Sequence, residues 1–295
     1  MKGAVRIRDV SLFVEVVGRG HPLLLMHGGP GADHHTLSAL RSLKDQFTLI
    51  FYDHRCNGRS VGADVSTMTW ENLTADADAL RQHLGYDKWA VLGHSFGGQV
   101  ALEYALRYQS RLTHLILLDT GGDSRWARDE APKLALQRSG KQEMADLVSR
   151  WFHGEFDPKK MLSSLMSMGE LYNPHTNLWS FARELASGEW RGLFTLRPEP
   201  LIFAGRTLLD GWSVMDRLGE IRVPVMVMAG RDDFIFPPDA TRELAGAMPN
   251  AKLQIIDGAG HNPQSEQRDT VLSTIRAFLA SHVAREAAQL TATSS

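Results

Sequence analysis

The chain has 295 residues, 43% of them hydrophobic, a formal net charge of −2 and one cysteine. This suits one large domain carrying an insertion, and scattered, balanced charge leaves no footprint for nucleic acid or an anionic membrane. Cys56 alone excludes an internal disulfide and a thiolate metal cluster; no stretch approaches the ~18 apolar residues of a spanning helix, and Met1 to Val10 mixes charge with apolar residues, so the cytoplasm is the expected compartment.

Residues 4–18 alternate and read as an antiparallel hairpin. Pro22-Leu23-Leu24-Leu25-Met26 is a buried strand emptying into His27-Gly28-Gly29-Pro30-Gly31. One glycine would serve a plain turn. Several expose backbone N–H groups, which makes the Gly29 amide a candidate oxyanion donor and Gly28 a candidate substrate contact. His34 and His35 follow and are placed at the mouth, without the further ligands that zinc needs. A strand over 47–53 ends at Asp53, which with Arg55 locks the following turn, and a helix fits 69–84.

The strand over 88–94 runs into Gly93-His94-Ser95-Phe96-Gly97 and then a helix over 96–108. Serine is a poor nucleophile unless lifted toward a base on a tight strand-to-helix turn, and small neighbours permit that turn. Ser95 is therefore the candidate nucleophile, the Phe96 amide a second oxyanion donor, and His94 a packing residue. The next strand, 112–119, ends at Asp119. Between Gly121 and about Gly211 the strand rhythm stops and aromatics with helical spacing take over. The segment 122–211 reads as a helical cap over the strand ends, with Trp151, Trp179 and Trp190 as candidate pocket residues.

The rhythm resumes with a buried strand over 223–229, followed by Arg231-Asp232-Asp233-Phe234, a helix over 239–248, a strand over 251–256 and the loop Asp257-Gly258-Ala259-Gly260-His261. Acid and histidine thus arrive at strand ends in the order Ser, Asp, His that a triad on such a sheet requires. Asp233 ranks first as the acid, Asp119 second and Asp232 third. A helix over 264–282 precedes an Ala-, Thr- and Ser-rich tail, 285–295, expected to fray.

Together these motifs resemble an α/β-hydrolase of the proline iminopeptidase-like branch. His27-Gly28-Gly29-Pro30-Gly31 is the most specific mark; Asp53-His54-Arg55-Cys56-Asn57-Gly58-Arg59-Ser60, Gly230-x-x-Asp233 and Gly258-Ala259-Gly260-His261 resemble its other loops. The resemblance spans about residues 5 to 280 apart from the insertion. It implies a mostly parallel central sheet with helices on both faces, a core of residues 1–121 and 212–284, and a helical cap of 122–211. By the same resemblance Ser95 is nucleophile, Asp233 acid and His261 base.

The branch usually carries Trp or Tyr after the nucleophile and an acidic residue after the catalytic Asp; this chain has Phe96 and Phe234. An ammonium desolvated without a carboxylate is unfavourable. The reading is therefore a serine hydrolase for a small ester or amide with an apolar acyl group, Phe234 lining the acyl site. Such chemistry calls for no metal or organic cofactor, and the partner is a small molecule or short peptide. An N-terminal prolyl aminopeptidase is the alternative, and a non-catalytic ligand receptor on the same fold is the reading from another class.

Overall fold

The computed structural model describes residues 1–176 and 188–293. Eight strands, β1 (Lys2–Ile7), β2 (Val10–Gly18), β3 (His21–Met26), β4 (Phe47–Tyr52), β5 (Trp89–His94), β6 (Leu112–Leu118), β7 (Val225–Gly230) and β8 (Ala251–Ile256), form one sheet in the order β1-β2-β4-β3-β5-β6-β7-β8. The hairpin joins β4 antiparallel, and every pairing from β4 to β8 is parallel. This architecture is the α/β-hydrolase fold expected from the sequence.

Parallel strands with helices on both faces need apolar side chains in both directions. Along β3, β5, β6 and β7 successive residues go alternately to two cores. Leu24, Met26, Val91, Leu115, Leu117 and Val227 join the layer under helices α1 (Trp70–His83) and α2 (Phe96–Tyr108). Leu23, Leu25, Leu92, Ile116, Leu118 and Met228 join the opposite layer with Leu37, Leu40, Val271 and Ile275. Each such burial is worth roughly 1.5 to 3 kcal/mol, so the sheet centre is the most stable part of the molecule. All four strands end at one edge, where their loops meet.

Between β6 and β7 lie helices α3 (Ala131–Ser139) and α4 (Gln142–His153) with shorter helical turns. The neck of this insertion is closed by the bridge Asp123 to Ser213 and by Val214 N–H donating to Gly122 O at 2.8 Å. Its apolar residues, among them Ala131, Val148, Trp151, Met168 and Leu171, share a cluster with Phe234, Ile235 and Phe236 from the loop after β7. The insertion is thereby bonded to the loop that carries Asp233.

Three local features differ from the sequence reading. Residues His34–Asp45 form a 3₁₀ helix whose N-terminus is capped by the Asp33 side chain; the Asp-His-His start offered no apolar period to reveal it. β7 begins at Val225, since Pro224 has no N–H to donate to a ladder. The last helix, Arg268–Thr293, continues through 285–293, because its Ala, Gln and Leu residues favour helix more than the Thr and Ser between them oppose it. Among the described residues no helix is long and apolar enough to cross a membrane.

Candidate active site

Ser95 sits at the end of β5 with φ +52° and ψ −121°, a conformation that L residues adopt only when the surroundings impose it. The surroundings do so through three bonds. Ser95 N–H donates to Leu118 O (3.0 Å), while Ser95 O accepts from Gly98 N–H (2.9 Å) and Thr120 Oγ1 (2.8 Å). Close approach explains two of the glycines. A Cβ on Gly97 would lie 2.1 Å from Met26 O, and one on Gly93 would lie 2.3 Å from Gly97 O.

His261 Nε2 stands 2.9 Å from Ser95 Oγ, and His261 Nδ1 stands 2.9 Å from Asp233 Oδ2. Asp233 is fully buried, and its Oδ1 accepts from Ile235 N–H at 2.8 Å. Burial alone would favour the neutral carboxyl; His261 and the amides of Ile235 and Phe236 outweigh it and hold the pKa of Asp233 below the usual carboxylate range. Three tethers set the His261 loop: His261 N–H donates to Tyr172 O (2.9 Å), Gly260 N–H to Glu266 Oε2 (2.6 Å), and His94 Nε2 to His261 O (2.9 Å). Burial, aided by His261, pushes the His94 pKa down to about 3, so His94 is a neutral donor.

The other two candidate acids have different environments. Asp119, also buried and at φ +45°, accepts from Gly230 N–H at 2.8 Å through Oδ1, and its Oδ2 has no hydrogen-bond partner among the described residues. Burial and the neighbouring Asp233 push its pKa well up. Asp232 is half-exposed and pairs with His175 at 2.7 Å, so it turns away from His261.

The loop after β3 faces Ser95. Gly29, at φ +62°, and Phe96, at the first position of α2, both line the cavity beside Ser95. Neither N–H has a protein acceptor among the described residues, and the first N–H groups of a helix have none within it. His27 fixes the loop by donating from Nδ1 to Gly28 O (2.9 Å) and accepting at Nε2 from His54 N–H (3.0 Å). The insertion holds the loop's other end. Arg197 N–H donates to Gly31 O at 2.8 Å, and Thr195 Oγ1 donates to Asp33 Oδ2 at 2.6 Å.

A cavity of about 230 Å³ opens over Ser95. Trp151, Phe152, Met161, Leu165, Leu196 and Phe236 supply much of its wall, and no Asp, Glu, Lys or Arg lines it among the described residues. Among the described residues three possible metal ligands approach within 4.8 Å in two places, Asp33-His34-His35 and Asp119-Asp233-His261. In the first, His34 bonds Asp53 and His35 bonds Asp33; the second contains His261, the hydrogen-bond neighbour of Ser95 Oγ.

A family model described as the alpha/beta hydrolase fold matches residues 21–267. The chain belongs to the α/β-hydrolase family. It is 24% identical to a proline iminopeptidase of Thermoplasma volcanium over 306 residues, covering 95% of this chain and 97% of that one. Among solved structures it is similar to VinJ, at 23% identity and a TM-score of 0.78 over 95% of this chain and 98% of the other. A thermophilic esterase from Thermogutta terrifontis is 27% identical with a TM-score of 0.69, covering 95% and 98%. A hydrolase resembling the proline iminopeptidase branch is what these likenesses support.

Within this α/β-hydrolase, several pocket expectations need correction. Gly28 and Trp151 line the cavity. Phe234 does not: it is fully buried behind Tyr172, edge to face at 5.2 Å, and Tyr172 takes the wall position. Trp190 is 39% exposed and packs on Phe194 rather than the cavity. Trp179 lies outside the described residues. His34 and His35 are buried in carboxylate hydrogen bonds instead of lining a mouth. Sequence reasoning missed Tyr172, the tethering role of His94, and Gln99, whose polar side chain inside an otherwise apolar helix face was the available signal.

Proposed function

We propose that this α/β-hydrolase is a serine hydrolase cleaving a small ester or amide with a neutral, apolar acyl group through an acyl-enzyme. The observation that carries the reading is the continuous hydrogen-bond chain Ser95-His261-Asp233 at the floor of a cavity lined, among the described residues, by no charged side chain of Asp, Glu, Lys or Arg. His261 Nε2 takes the Ser95 proton as Oγ bonds the acyl carbon, Asp233 stabilises the imidazolium, and the Gly29 and Phe96 amides hold the oxyanion. His261 then returns the proton to the leaving group. Water, deprotonated by the same base, releases the acid and restores Ser95. Residues 122–211 act as the cap that shapes the acyl site.

Kinship with proline iminopeptidases favours a second reading, cleavage of an N-terminal proline. Against it stands the cavity wall, which among the described residues offers no carboxylate to an ammonium. A fluorophosphonate probe should label the wild type and leave Ser95→Ala unlabelled; labelling of both would refute the nucleophile. Specificity constants for p-nitrophenyl acyl esters should exceed that for proline β-naphthylamide, and the reverse order would restore the aminopeptidase.

A further inference from the structure

Gln99 occupies the first turn of α2, and its N–H donates to Ser95 O at 3.3 Å. Residues four apart on a helix share one side, with Cβ atoms about 5 to 6 Å apart. Gln99 is 3% exposed and lines the cavity beside Ser95. Its carboxamide nevertheless makes no hydrogen bond to the described residues. Other polar side chains on that wall are engaged: Thr36 with Asp33 O, Asn262 with Asn173, His94 with His261 O, and Ser95 with His261. A buried amide with two donors and an acceptor free, in a cavity whose lining also includes Leu209, Leu201 and Ala127, is unexplained by packing.

We infer that Gln99 determines specificity, its carboxamide hydrogen-bonding a neutral carbonyl or hydroxyl carried on the otherwise apolar acyl chain. This rests on the serine-hydrolase reading. The acyl part is the portion that stays bonded to Ser95 Oγ, within reach of a side chain one turn along the same helix. No Asp, Glu, Lys or Arg among the described lining residues offers a counter-charge to a carboxylate or ammonium, which favours a neutral partner group. A site built to bond a substrate polar group rejects the analogue lacking it, since its own buried polar atoms are then left unpaired.

The test compares p-nitrophenyl levulinate with p-nitrophenyl isocaproate, acyl groups of the same shape in which a ketone oxygen replaces a methyl. Wild type should prefer levulinate in kcat/KM by about tenfold or more. Gln99→Leu and Gln99→Met should abolish or reverse that preference while still being labelled by the fluorophosphonate. A wild-type preference for isocaproate, or a ratio unchanged in a labelled variant, would overturn the assignment. Absence of labelling in wild type would instead overturn the serine-hydrolase reading, and this one with it. Should one variant fail to fold, the other, with a different shape, still reports the ratio.

Discussion

Replacing Asp233 by Asn should remove the base without removing the geometry. Asp233 Oδ1 is committed as the acceptor of Ile235 N–H at 2.8 Å, so in Asp233→Asn the carboxamide oxygen keeps that place. Its NH₂ then takes the place of Oδ2, 2.9 Å from His261 Nδ1. Two donors cannot share that line. The imidazole must leave Nδ1 bare and carry its proton on Nε2, where it points at Ser95 Oγ and cannot accept. Wrong-tautomer substitutions of this kind lower kcat by ~10⁴, or about 5 kcal/mol of barrier. Steady-state kinetics on a p-nitrophenyl ester, with thermal melts to show that the fold is intact, make the measurement. Asp232→Asn, breaking only a half-exposed pair with His175, should stay within about twofold. Asp119→Asn keeps the Oδ1 acceptor for Gly230 N–H and leaves the His261–Asp233 hydrogen bond in place, so it should stay within about tenfold. Losses at 232 equal to those at 233, or a loss below about a hundredfold at 233, would refute the reasoning.

Gly97→Ala should destabilise by about 3 kcal/mol or more, because its Cβ would meet Met26 O at 2.1 Å and His27 O at 2.5 Å, backbone atoms that no rotamer change can move; an unchanged urea midpoint would contradict this. Stability should also fall in acid. Unfolded histidine takes up a proton near pH 6.5, whereas buried His94 stays neutral down to about 3. Its contribution is therefore complete above about 6.5 and is lost as the pH falls below that, at up to about 1.4 kcal/mol per pH unit. His27 and His54, whose pKa values burial also lowers, add to the same slope. Urea unfolding from pH 7 to pH 5 should show the decline, shallower in His94→Gln; a flat profile would mean that these histidines are not buried neutral.

The order of strands and helices was legible because it is written locally. Leu23 to Met26 or Val225 to Ala229 can only be strands buried on both faces; the Ser95 and Asp233 loops each follow such a strand, and the His261 loop follows the half-exposed edge strand β8, without interruption. Parallel strands brought side by side necessarily put their C-terminal ends at one edge. The relation among the three loops thus follows from fold class alone, although Ser95 and His261 are 166 residues apart.

The pocket was not legible, because its wall is decided by which side chain of an insertion arrives first. Phe234 is adjacent in sequence to Asp233, yet Tyr172, from a different element, stands between it and the cavity. The same limit hid Gln99: the residue type was visible, but its lack of a partner is a property of everything packed around it. His94 likewise read as packing until the His261 carbonyl came within 2.9 Å of its Nε2. Periodicity and turn chemistry act over a few residues and so can be read from the chain. Burial, hydrogen-bond satisfaction and the choice among Asp119, Asp232 and Asp233 depend on distances between atoms far apart in sequence, and only the folded structure sets those.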